Sequence, residues 1–179
     1  MRPLVKNIGV LTVLSALIIL NIFPTVYFNL FTHSLPYGIY MKISGPPHRG
    51  EYAASCLSQE IAEYGIHRGY LVPGRCPTGS VIVLKVIKGT PGDHFSVKNG
   101  FLEINGNSYA IMDKDSSGRR LKSFYKMREG IIAKGKYLLL SDFVKNSWDS
   151  RYWGPVDIQF LLKPLWIFDH VQYTQISHP

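Results

Sequence analysis

From residue 8 to residue 31 the chain carries no charged side chain. Residues 8–28 alone, wound as a helix rising ~1.5 Å per residue, would cross a hydrocarbon core of ~30 Å. A stretch so apolar has few ways to fold: it spans lipid or it is a core helix. It lacks the apolar stripe, backed by polar residues, of a helix packed on one side of a core. It is also longer than the apolar part of a typical cleaved leader, and no Ala-x-Ala-like exit follows it, so it reads as a retained anchor. Asn21 and Pro24 weaken the span without ending it. Arg2 and Lys6 precede the run and favour an N-terminus in the cytoplasm, with the rest of the chain on the far side. The expected layout is a cytoplasmic N-terminus and transmembrane anchor over 1–31 and one extracytoplasmic domain over 32–179.

That domain is long enough to bury a core, and a chain that is 46% hydrophobic and 18% charged is neither disordered nor fibrous. The net charge is +8, but the basic residues are scattered singly or in pairs such as Arg119-Arg120. Such a pattern suits a lipid-facing surface better than a nucleic acid, so the bilayer is an expected partner and nucleic acid is not. The six histidines form neither HxxxH nor HExxH, and the two cysteines fit no zinc spacing, so no metal and no cofactor is expected. Outside the cytoplasm Cys56 and Cys76 would pair, closing a loop of about twenty residues for roughly 3 kcal/mol; inside it they would stay free thiols.

The domain reads as mainly β, in antiparallel sheets and hairpins with few short helices. Residues 81–87 form an apolar, β-branched run interrupted only by Lys85, the pattern of a strand buried on both faces. With period-two alternation Lys85 shares a face with Val81, Val83 and Ile87. Gly89-Thr90-Pro91-Gly92-Asp93 is a turn, and Asn99-Gly100 and Asn105-Gly106 punctuate strands over 94–98, 101–104 and 108–112 as serial hairpins. Further strands are expected over 51–55, 136–140 and 156–162, and a short helix over 58–64 that ends at Gly65. Residues 113–126 read as an exposed loop, and the tail from Lys163 to Phe168 as a docking terminus. The segment between Asp93 and Lys136 leaves no room for a large second β-domain.

Ser34 falls a few residues beyond the apolar run, in a turn set by Pro36 and Gly38. A serine hydroxyl needs a base to become a nucleophile, and a lysine can be that base only if burial draws its pKa toward neutrality. Lys85, on an apolar strand face, is so placed, although a mid-strand lysine can equally run its stem to the strand edge. His33 adjoins Ser34 too closely to face it, whereas His94 with Asp93 stays open as another base and its partner.

Three stretches occur in order: Ser34-Leu35-Pro36 with Gly38 and Tyr40; Lys85 followed by Gly89-Thr90-Pro91-Gly92-Asp93; and Asn146-Ser147-Trp148-Asp149-Ser150-Arg151-Tyr152-Trp153-Gly154. Together they resemble the type I signal peptidase family, membrane serine peptidases that work by a Ser/Lys dyad. The form SxPxGxY, with Cys56, the Gly-Arg-Cys-Pro around Cys76 and the late Pro-Leu-Trp, resembles its TraF-like branch, peptidases of conjugative transfer that mature a pilin. The resemblance implies a signal-peptidase-like β fold behind an inner-membrane anchor, with the domain in the periplasm. It implies Ser34 as nucleophile and Lys85 as general base. It also implies an oxyanion met by the Ser34 N–H with help from the Thr32 hydroxyl, Ser147 holding the lysine amine, and Asp149 and Arg151 as a supporting ion pair. The substrate would be a precursor peptide near the membrane, a pilin subunit matured by cleavage or by cyclisation. A general signal peptidase and a non-catalytic assembly factor of the conjugation channel are the competing expectations. The chain departs from the family pattern at Ser141-Asp142-Phe143-Val144, where Gly-Asp-Asn-Arg is usual, and at Val86, where a second basic residue is common. Both departures bear on substrate choice more than on the dyad.

Overall fold

The computed structural model describes residues 25–30 and 32–168. The strands are β1 (Val26–Asn29), β2 (Gly38–Ile43), β3 (Tyr52–Ser55), β4 (Val83–Gly89), β5 (His94–Lys98), β6 (Phe101–Ile104), β7 (Asn107–Ala110), β8 (Glu129–Ile131), β9 (Leu138–Leu140) and β10 (Phe160–Ile167). Two helices, α1 (Gln59–Arg68) and α2 (Ser150–Trp153), complete the elements. A larger sheet runs β1-β2-β10-β3-β4-β9 and a smaller one β7-β6-β5-β8, with every pairing antiparallel. The fold is mainly β, as the alternation and turn signals predict.

The expected anchor falls largely outside the described residues, among which no helix is long and apolar enough to cross a membrane. Its end corrects the reading of the apolar run. Val26–Asn29 is a strand paired with β2, from Val26↔Met41 to Asn29↔Gly38. A mere lack of charge does not separate the end of a span from a β-rich segment; long-range pairing makes this one a strand.

β4 is buried on both sides. Val83 and Ile87 face the cluster that holds Ala53, Leu139 and Leu161, while Val86 faces Leu35, Tyr40, Ala54 and Leu162. The smaller sheet grows from local turns: Asn99 and Asn105 take φ of 52° and 46°, and Gly100 and Gly106 follow at 79° and 84°, the backbone that two-residue hairpin loops require. Its Phe95, Leu102 and Ile104 close on Ile132, Leu138 and Leu140.

Three expectations change. The helix runs on past Gly65 to Gly69, whose φ of 74° ends it. Gly65 instead marks a close approach, since a Cβ there would stand 2.7 Å from the Trp148 ring. The tail is no docking terminus: residues 160–167 are β10, inserted between β2 and β3. The strand expected over 156–162 therefore starts later and runs on through Pro164, which lacks an N–H to donate. The β3 ladder stops at Leu162↔Tyr52, however, and the β2 ladder shifts register between Pro164 and Trp166, so the proline sits where it interrupts little. The 113–126 loop is also tied down in part, with Tyr125 Oη donating to Ser150 O at 2.7 Å.

Candidate active site

Ser34 lies in the turn between β1 and β2, and side chains grip that turn by its carbonyl groups. Asn29, only 3% exposed, directs its amide at the carbonyl oxygens of Thr32 (3.0 Å), Leu35 (2.9 Å) and Pro36 (3.0 Å). Tyr40 Oη donates to Pro36 O at 2.5 Å. Ser141 Oγ donates to the carbonyl of Ser34 at 3.0 Å. Leu35 is buried among Tyr40, Ala54, Val86 and Leu162, which fastens the turn to four strands of the larger sheet. The glycine of SxPxGxY has a steric reason: a Cβ on Gly38 would stand 2.3 Å from the Trp166 carbonyl oxygen.

Lys85 sits on β4 opposite Ala53, whose methyl leaves space for a long stem. The side chain stays inside at 5% exposure rather than running out to water. Its Nζ is 2.5 Å from Ser34 Oγ and 2.8 Å from Ser147 Oγ. Burial pulls the ammonium down from 10.5 to about 8, the Asp149 carboxylate opposing that pull and Arg151 adding to it. At pH 7 roughly a tenth of such amines are neutral, enough to accept a proton from a hydroxyl in contact.

The Ser147-Trp148-Asp149-Ser150-Arg151 stretch builds the other side. Arg151 pairs with Asp149 through two bonds, Nε to Oδ1 at 2.9 Å and Nη2 to Oδ2 at 2.8 Å, both side chains buried. Asp149 also caps α2 by accepting from the Arg151 N–H and takes the Ser141 N–H at 3.1 Å. Arg151 donates onward to the carbonyls of Lys145 (2.5 Å) and Ser147 (3.3 Å). Ser150 Oγ accepts from Leu139 N at 2.9 Å. The ion pair thus shapes the loop that presents Ser147 to the lysine, and touches neither Ser34 nor the amine.

Thr32 is where the geometry differs from the expected role. Its hydroxyl donates to Asn29 Oδ1 at 2.9 Å, so that proton is already committed. The open alternative base is occupied elsewhere: Asp93 accepts from Arg49, Thr90 and Asn105, and His94 lies 3.4 Å from Glu129. His33 faces Tyr37 Oη at 2.9 Å. Cys56 and Cys76 are joined as a disulfide. Among the described residues no cluster of His, Cys, Asp and Glu could hold a metal ion.

A cavity of about 450 Å³ opens beside the serine and lysine. Its lining is mostly apolar and comes from β1, from residues 81–85 entering β4, from Tyr70, Leu71 and Val72 beyond α1, and from Trp148. The β9 ladder reaches only Val86, so residues 83–85 have no strand neighbour on that side among the described residues. Asn29 and Tyr70 were not singled out by the sequence reading, and Ser141 only as part of a departure from the family pattern. The only sequence signal for Asn29 is a lone amide near the end of the apolar run.

The protein-family model described as "Signal peptidase, peptidase S26" matches residues 4–162. A plasmid transfer protein TraF of Escherichia coli is 31% identical over 130 residues, 70% of this chain and 73% of that protein. A conjugal transfer protein TraF of Agrobacterium fabrum is 29% identical over 147 residues, 77% of this chain and 81% of its own. Signal peptidase I V of Bacillus subtilis is 29% identical over 100 residues, 51% of this chain and 59% of its own.

Proposed function

The chain belongs to the signal peptidase family, peptidase S26, and from that membership we propose that it is a membrane-anchored serine endopeptidase that matures a conjugative pilin subunit. The observation that carries the chemistry is the Lys85 amine, buried and in contact with both Ser34 Oγ and Ser147 Oγ. In the first step neutral Lys85 takes the Ser34 proton as Oγ bonds to the scissile carbonyl carbon. Ser147 keeps the amine aligned. The Ser34 N–H meets the oxyanion; the Thr32 hydroxyl can join it only by leaving Asn29. Collapse breaks the C–N bond, and the Lys85 proton leaves with the departing amine. The acyl-enzyme is then resolved by water, giving a linear product, or by the pilin's own amino terminus, giving a ring.

The precursor lies as an extended strand in the apolar cavity, where residues 83–85 offer backbone without a strand neighbour. A nucleophile within a few residues of an apolar run suits a scissile bond just outside a membrane span. The domain would work at the periplasmic face of the inner membrane. The similarity to signal peptidase I V favours one other reading, removal of signal peptides in general.

Co-expression with a candidate pilin precursor tests the proposal, read by intact mass of the pilin with wild type, Ser34→Ala and Lys85→Ala. Processing by wild type alone is expected, and a product one water lighter than the linear peptide marks cyclisation. Equal processing by either variant overturns the dyad. If wild type leaves the pilin whole but trims signal peptides, the general reading replaces the specific one.

A further inference from the structure

We propose that Asn29 is a positioning residue for the nucleophile, an uncharged clamp that holds the Ser34 turn in its reactive shape; this rests on reading Ser34 as the nucleophile. The carbonyls of Thr32, Ser34, Leu35 and Pro36 are all held by side chains, and Asn29 serves three of those four. Its two amide hydrogens are shared among three oxygens that flank the serine on both sides. Its own Oδ1 accepts the Thr32 hydroxyl at 2.9 Å and the Thr32 N–H at 3.4 Å. A side-chain amide can both donate twice and accept, and the residue ends β1, so its backbone is fixed by pairing with Gly38.

Asn29 forms its hydrogen bonds with Thr32, Leu35 and Pro36, so its influence on the reaction passes through the turn. Ser141 holds the same turn from the far side and links it to Asp149 through its N–H. Asn29 therefore ties the strand at the end of the apolar run to the nucleophile, as Ser141 ties the ion-pair loop to it. Misplacing a reacting oxygen by about 1 Å can lower a rate ~10²-fold.

The experiment uses the full chain in detergent micelles with an N-acetyl-alanyl-alanyl p-nitrophenyl ester. Its acyl group passes to Ser34 Oγ as the ester C–O bond breaks, the electron pair leaves with p-nitrophenolate, and Lys85 takes the serine proton. Intact mass follows acylation of wild type, Ser34→Ala, Asn29→Ala and Asn29→Asp. The aspartate has the same shape but turns a carboxylate oxygen toward the three carbonyls. Both Asn29 variants are expected to acylate roughly 10²-fold more slowly. Both should still reach the wild-type final fraction, and Asn29→Ala should also keep the wild-type pH midpoint, because it brings no charge into the cavity that Lys85 shares. A loss confined to the final fraction would mean that part of the protein is unfolded, and overturns the proposal. So does a rate within threefold of wild type, a moved pH midpoint in Asn29→Ala, or failure of both variants to fold. If wild type shows no Ser34-dependent acylation, the peptidase reading fails and this inference fails with it.

Discussion

An amine that ionises at about 8 in the folded chain and at 10.5 when exposed is held less well by the fold whenever it carries its charge. At ~1.4 kcal/mol per pH decade, the interval from 10.5 to about 8 is a penalty of about 3 kcal/mol. Below pH 8 both states bind the proton and the fold bears the whole penalty. Between 8 and 10.5 the unfolded chain binds more protons, so stability rises with pH; above 10.5 both states are neutral and the penalty is gone. Lys85→Met keeps the stem and removes the amine. It also removes two hydrogen bonds, about 1 kcal/mol each. The variant should be inactive yet about 1 kcal/mol more stable than wild type at pH 7, and about 2 kcal/mol less stable above 10.5. Guanidinium unfolding of both proteins in the same detergent, from pH 7 to about 11.5, measures the difference, in which every other titrating group cancels. A difference that stays flat with pH, or in which wild type gains on the variant toward low pH, would refute a buried amine depressed by desolvation.

Acylation should rise with pH to a midpoint near 8, and Asp149→Asn should move that midpoint lower, because the carboxylate favours the ammonium. The same substitution leaves Arg151 buried without its partner and should cost about 3–5 kcal/mol in unfolding experiments; an unmoved or raised midpoint counts against the arrangement. Replacing both Cys56 and Cys76 by serine reopens a loop whose ends are 20 residues apart and should cost roughly 3 kcal/mol; a loss below about 1 kcal/mol in denaturant titration would show that the crosslink adds little. Gly65→Ala forces a methyl toward Trp148 and Leu71, both of which line the cavity. It should cost about 1–3 kcal/mol and raise KM for a peptide substrate more than it lowers kcat; unchanged stability and KM would mean the helix shifts freely.

What was legible in the sequence is what short-range geometry controls. Alternation along 81–87 placed Lys85 on a buried face because strand periodicity is local, and the two Asn-Gly pairs announced hairpins because a two-residue loop depends on its own backbone preferences. The roles of Ser147, Asp149 and Arg151 came from the resemblance alone, although the ion pair and helix cap do close within a few residues. The rest depended on partners far along the chain. Nothing local separates Asn29 from other polar residues near an apolar run until pairing with β2 turns it under the Ser34 turn. Ser141 matters because it meets a carbonyl 107 residues away. Residues 163–167 become strand rather than tail only through the β2 ladder, and Pro164 sits where that ladder shifts register. Joining Cys56 to Cys76 required their Cα atoms to come within 5.6 Å. Composition and periodicity record which surfaces a segment will bury, but which distant group then meets a given hydrogen-bond donor is decided only when the strands pair and the core closes.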